Sequence, residues 1–167
     1  MDNTESMQEP GTLDTDQVLV RTMTEDDLGS VVLIDAASSG RSRPTYFGKL
    51  IEKSVKLADL SISLVAELEG RVVGFVVGTL YYGEFGVAEP SASIDVIGVD
   101  GRYRRKQVGQ ALMRQLRINL SALRITSLRT EVSWDDFDLL AFFRSAGFRP
   151  SNRLCLEREL DPTAPVD

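Results

Sequence analysis

The sequence predicts an α/β protein of mixed α+β type, a single mixed and mostly antiparallel sheet of six to seven strands with helices on both faces. Two observations lead there. Short stretches of apolar or alternating residues are interleaved with segments whose apolar positions recur at three- and four-residue spacing, giving the order strand, helix, helix, three strands, helix, strand, helix, strand. The chain, at 167 residues, is long enough for one domain with a substantial core and too short for two ordinary ones.

Taken in order, Val18 to Thr24 reads as the first strand. Thr24-Glu25-Asp26-Asp27 then starts a helix, with acids in the first turn ahead of Leu28, Val31 and Val32. A second helix begins near Pro44, where Tyr46, Phe47, Leu50, Ile51, Val55 and Leu57 recur at helical spacing, and Arg41 and Arg43 lie in the loop before it. Residues 62–67 and 71–82 are strands joined by the short turn Glu69-Gly70. After a loop with Gly and Pro comes a fourth strand, Ser93 to Val99, in which Gly98 suits a bulge. Val108, Ala111, Leu112, Leu116, Leu120 and Leu123 form one face of a long helix. Ser127 to Val132 is a fifth strand. A last helix, Asp135 to Ser145, ends at Ala146-Gly147, and Leu154 to Leu160 is expected to close the sheet.

The net charge of −6 is unevenly spread. Residues 1–16 hold five acids and no bases, and residues 161–167 hold two acids and no bases. Both ends are poor in apolar residues and read as disordered tails around a single domain at 17–160. Within that domain 18 acids face 19 bases, and no acid lies between Arg102 and Thr130. A locally positive, globally neutral domain without a basic arm or an aromatic platform argues against a nucleic-acid partner.

The single cysteine, Cys155, and the absence of histidine remove disulfides, Cys/His zinc sites and His-assisted nucleophiles, and no metal is expected. The N-terminus has neither a basic region nor an apolar run, and nothing approaches the roughly 18 apolar residues of a membrane span, so a cytoplasmic protein without a membrane partner is expected.

The chemistry concentrates where the fourth strand, Ile94-Asp95-Val96-Ile97-Gly98-Val99, runs into the basic turn Arg102-Tyr103-Arg104-Arg105-Lys106-Gln107-Val108-Gly109 and the long helix. A helix start leaves backbone N–H groups unpaired at the positive end of the macrodipole, so this turn suits phosphates. Without an anion, four bases there would oppose the dipole. The P-loop and dinucleotide patterns are both absent.

On Val99, Tyr103, Arg104 and Gly109 this stretch resembles the acyl-CoA signature of the GNAT N-acetyltransferase superfamily, with Gly101 where that family usually has Pro and Gln107 where it usually has Gly. In the first turn of a helix Gln107 is expected to take an ordinary right-handed backbone. Asp136, Leu139, Phe142, Phe143, Gly147 and Phe148 resemble the family's second, looser motif. The resemblance covers about Val18 to Leu160. It implies a GNAT-like fold in which strands four and five splay apart, with the pantetheine arm of acetyl-CoA in the gap. Its cofactor site would comprise the backbone of Ile97 and Val99, the turn Arg104, Arg105, Lys106, Gln107, Val108, Gly109 and Gln110, and Asp136 and Phe143.

The implied activity is direct transfer of an acetyl group from the CoA thioester to a primary amine of a small molecule or peptide, by a monomer or homodimer. The alternative is a non-catalytic acyl-CoA-binding or interaction module of the same fold. Many relatives carry a Glu base four residues before the position of Val99, where this chain has Asp95; alternation puts Asp95 on one face with Ile97 and Val99. An ion pair with Arg129 on the adjoining strand accounts for Asp95 equally well. Glu84 is a further candidate base. Phe143 occupies the place of the family's usual Tyr acid and has no proton to give, so Tyr82 or Tyr81 is the substitute donor. Arg41, Arg43 and Tyr46 fall where relatives build acceptor pockets, and two arginines there would suit an anionic acceptor.

Overall fold

The computed structural model of the protein describes residues 18–56, 62–82 and 89–160. Five strands form one sheet in the order β1-β2-β3-β4-β5: β1 Leu19–Thr22, β2 Leu64–Leu68, β3 Arg71–Tyr81, β4 Ser91–Val99 and β5 Ser127–Thr130. The first four pair antiparallel and β5 joins β4 in parallel. The helices are α1 Leu28–Ser39, α2 Pro44–Lys56, α3 Val108–Ala122 and α4 Phe137–Ser145. By compactness the chain divides into Met1–Glu131, which carries the whole sheet, and Val132–Asp167.

Local chemistry sets the element ends. Thr24 and Asp27 form a capping box before α1, and the buried Asp27 accepts the Thr24 N–H at 2.8 Å. Arg21 on β1 brackets both Asp27 oxygens at 2.8 and 2.9 Å and reaches Glu67 on β2 at 3.0 Å, tying the first strand to the first helix. Pro44 opens α2, where its missing N–H costs nothing. Glu69 and Gly70, both left-handed at φ 50° and 75°, make the two-residue β2–β3 hairpin. In the second unit α4 ends in a Schellman pair, with Phe148 N–H bonding Phe143 O at 2.9 Å and Gly147 N–H bonding Arg144 O at 3.0 Å.

The two faces of the sheet are packed differently. Val31 and Ile34 of α1 and Phe47 and Ile51 of α2 bury against Val65, Phe75 and Val77, with Val96 partly buried beside them. On the opposite face lies the apolar side of α3, with Val108, Leu112, Met113, Leu116 and Leu120 buried. Gly74 permits that approach, since a Cβ there would stand 2.8 Å from Val108 Cγ1. Gly98 does the same on the α1–α2 face, where a Cβ would meet Phe75 Cε1 at 2.6 Å.

Three expectations about strand pairing and backbone conformation are corrected. Residues 154–160 alternate like a strand but form none, and Leu154, Leu156 and Leu160 are exposed, so the sheet has five strands among the described residues rather than six or seven. Alternation marks a segment able to pair; it supplies no partner. The β4 bulge is at Asp95, not Gly98: Val77 pairs with Val96 and Gly78 with Ile94, while Gly98 stays in regular register with Phe75. Gly98 answers instead to the ring packed on it. The third concerns Gln107 and belongs to the site.

Candidate active site

The parallel β4–β5 ladder begins at Ser91↔Ser127 and ends at Ile94↔Thr130, where the Thr130 hydroxyl donates to Ile94 O at 3.0 Å. Beyond it, among the described residues, Val96 to Val99 have a strand partner only in β3. The backbone edge of Ile97 and Val99 therefore has no strand partner among the described residues on the side β5 leaves, which is the splay the sequence resemblance implies.

The chain leaves β4 through Asp100, which accepts the Arg102 N–H at 3.0 Å and pairs with its guanidinium at 2.7 Å. Arg102 is thus occupied within the turn, and the Asp100 carboxyl is held below its usual range by that hydrogen bonding. A short 3-10 turn, Gly101–Tyr103, leads into the basic residues. The Tyr103 ring has Arg102 at 5.9 Å and Lys106 at 5.5 Å from its centre.

Arg105 and Gln107 are both left-handed, at φ 60° and 62°. Gln107 therefore does not take the right-handed backbone expected of it. It stands at the N-cap of α3, outside the helix, in the conformation for which Gly is the undemanding residue. Left-handed residues thus stand on both sides of Lys106, and backbone of alternating handedness is the kind from which anion-binding nests are built. The first bond of the α3 ladder is Ala111 N–H to Gln107 O at 2.9 Å, and the Gln107 side chain makes no capping bond. The N–H groups of Val108 and Gly109 thus lie at an uncapped helix end. Arg104, Arg105, Gln107 and Gln110 are exposed around it, and Arg104 bonds Ser38 of α1 at 3.2 Å.

The second part of the site lies on the α1–α2 face. Thr79 donates to Asp95 Oδ2 at 2.5 Å and Ser93 to Oδ1 at 2.7 Å. Both hydroxyls lie on the face that carries Phe75, Val77 and Val96, so the bulge turns Asp95 away from Ile97 and Val99, which pair with Val76 and Gly74 on the α3 face. Simple alternation predicted the reverse. The anticipated Arg129 partner sits instead with its guanidinium 4.6 Å over the ring of Tyr81.

Tyr46 overlooks this face from α2. Its ring meets Phe47 edge-on at 5.1 Å, and Phe47 meets Phe75 at 5.6 Å. Burial, then the negative charge of Asp95, push the Tyr46 phenol above its ordinary range. Arg43 is not available for an anionic acceptor. Its guanidinium pairs bidentately with the buried Asp35 of α1, at 2.6 and 3.0 Å, and lies 5.0 Å from the centre of the Tyr46 ring.

Of the other predicted residues, Glu84 lies outside the described residues. Tyr82 is exposed, one residue past the end of β3. In the second unit the Asp136 carboxylate caps α4, accepting the Leu139 N–H at 3.0 Å. Phe143 is buried, with Phe142 and Phe148 edge-on at 5.3 and 4.9 Å. Thr79, Ser93 and Asp35 were not anticipated. Ser93 had a signal in the period-two polar series Ser91, Ser93, Asp95; Thr79, on the neighbouring strand, and Asp35, inside an apolar helix, had none.

Residues 31–148 match the model of the acetyltransferase (GNAT) family, and the chain belongs to that family. Solved structures share the fold. An aminoglycoside N-acetyltransferase, AAC(6')-Iy, in complex with CoA is 15% identical, with 85% of this chain and 94% of that chain covered and a TM-score of 0.72. An aminoglycoside acetyltransferase from an uncultured soil metagenomic sample, in complex with sisomicin, is 16% identical over 87% and 98%, with a TM-score of 0.68. Ard1 from Thermoplasma volcanium is 28% identical over 81% and 84%, also with a TM-score of 0.68. No helix among the described residues is long and apolar enough to cross a membrane, and those residues hold no cluster of three metal-ligating side chains.

Proposed function

We propose that the protein is an acetyl-CoA-dependent N-acetyltransferase that moves an acetyl group directly to a primary amine. The observation that carries this reading is the opening of the β4 edge immediately before an uncapped, basic helix start. The residues fit the cofactor: Val108 and Gly109 offer backbone N–H groups to a pyrophosphate, Arg104, Arg105 and Lys106 add charge, and Ile97 and Val99 offer open backbone where a thioester would lie.

Acetyl-CoA supplies the activated acetyl group, whose C–S bond breaks as the C–N bond to the amine forms. The amine must first lose a proton. Asp95, braced by two hydroxyls and exposed, is the group suited to accept it directly or through water. The departing thiolate needs a proton in turn, and with Phe143 in the family's tyrosine position, water or Tyr82 is left to provide it.

The test is calorimetric titration with acetyl-CoA, dephospho-CoA and ATP at two salt concentrations, followed by thiol release with amines. Binding of acetyl-CoA that weakens without the ribose phosphate, with amine-dependent thiol release, is the expected result. Binding without release from any amine would leave a cofactor-binding module; absence of binding would remove the cofactor assignment.

A further inference from the structure

The charges on the acceptor side differ from those the sequence suggested. Arg43, put forward for an anionic acceptor, is locked to Asp35. Withdrawing its guanidinium would strand a buried carboxylate, so the pair stays closed. Arg129 leans toward Tyr81, which pairs with Ser91, whereas Asp95 lies in the other direction along β4 from Ser93, the residue opposite Arg129. Asp95 takes hydroxyl donors and has no ion-pair partner among the described residues. Two oxygens offer about four acceptor positions, so two hydroxyls leave room for a further donor.

On the same face of the sheet Tyr46 of α2 meets Phe47, which in turn meets Phe75 of β3. The Tyr46 ring is fixed from behind by Arg43 and from the side by Phe47, yet the residue is 40% exposed. Its phenol keeps its proton there, because burial and Asp95 both favour the neutral form. A neutral ring and a carboxylate on one face of the sheet together attract a cation, and a second carboxylate brought to that face meets like charge.

Resting on the acetyltransferase reading, we infer that the acceptor is an aliphatic amine with no carboxylate beside it, docking as an ammonium between the Asp95 carboxylate and the Tyr46 ring. Asp35 and Arg43 are positioning residues that hold the ring.

The experiment follows thiol release from acetyl-CoA with n-pentylamine, norleucinol and L-norleucine, which share one aliphatic chain. Acetyl-CoA affinity is measured on the same preparations. Expected are kcat/KM values at least tenfold higher for n-pentylamine and norleucinol than for L-norleucine. Tyr46→Leu should raise KM for n-pentylamine at least tenfold while leaving acetyl-CoA affinity and melting temperature in place. Tyr46→Phe, which keeps the ring, should raise it far less. Equal or better use of L-norleucine overturns the inference, as does an unchanged KM in Tyr46→Leu. Acetyl-CoA binding without thiol release from n-pentylamine also overturns it, whereas loss of acetyl-CoA binding itself would count against the acetyltransferase reading.

Discussion

Thr79 on β3 donates its hydroxyl to Oδ2 of Asp95 at 2.5 Å, at the one step of the β3–β4 ladder where the register slips. The bulge and the hydroxyl act together, since the extra residue turns the carboxylate to the α1–α2 face and Thr79 and Ser93 then fix it there. Thr79→Val keeps the shape and removes the donor. A hydrogen bond to a charged group is worth about 1.5–3 kcal/mol, so kcat/KM for the amine should fall at least about tenfold. Acetyl-CoA affinity should not move. Unchanged turnover in both Thr79→Val and Asp95→Asn would remove Asp95 from the chemistry.

Gln107 is held at φ 62° by the turn that precedes α3. A left-handed non-glycine residue costs about 1–2 kcal/mol, and the extra freedom of Gly in the unfolded chain costs about 0.5–1 kcal/mol. Gln107→Gly should therefore raise stability by roughly 0.5 kcal/mol, with acetyl-CoA binding kept, as read by urea unfolding and calorimetry. Gln107→Ala relieves no strain and should gain nothing. Destabilisation by the Gly variant would mean that the glutamine side chain makes a contact outweighing its backbone cost.

That position also marks where reading the sequence reached its limit. The elements of the first unit were legible because buried faces impose periods, and Pro44 and Gly70 punctuate them. The basic turn was legible from its composition. The conformation of Gln107 was not, because nothing local distinguishes a residue at N1 from one at the N-cap. Asp95 was found on the right strand and assigned to the wrong face, since one bulge reverses the count without altering a residue. Arg43 was read as available because its partner, Asp35, comes from the preceding helix and is fixed only by how α1 and α2 pack.

Arg104 bonds Ser38 at 3.2 Å, which aims an exposed guanidinium from the turn back toward the end of α1. Its charge should serve the cofactor phosphates rather than the fold. Arg104→Glu is expected to weaken acetyl-CoA binding at least tenfold, with a reduced salt dependence, at an unchanged melting temperature. Ser38→Ala should have a smaller effect in the same direction. If the charge reversal leaves affinity intact, the phosphates do not lie against this residue.

Arg21 and Asp27 offer a test of the fold that is independent of the site. Burial disfavours the Asp27 carboxylate, but the Arg21 hydrogen bonds and the Thr24 backbone and hydroxyl outweigh it and hold its pKa below the ordinary value. The folded pKa is thus depressed, so the stabilisation is full above the unfolded value of about 3.9 and is lost as pH falls through the folded one. Arg21→Gln leaves Asp27 charged and poorly paired at neutral pH. Stranding a fully buried partner costs about 3–5 kcal/mol, and because Arg21 is itself about one-third exposed the loss here should be nearer about 2 kcal/mol. Urea unfolding at pH 7 and at pH 3 would check it: the gap between wild type and Arg21→Gln should narrow in acid, where a protonated Asp27 no longer requires the guanidinium. A gap that stays constant would show that Arg21 acts through Glu67 or through packing of its stem, and not through the charge on Asp27.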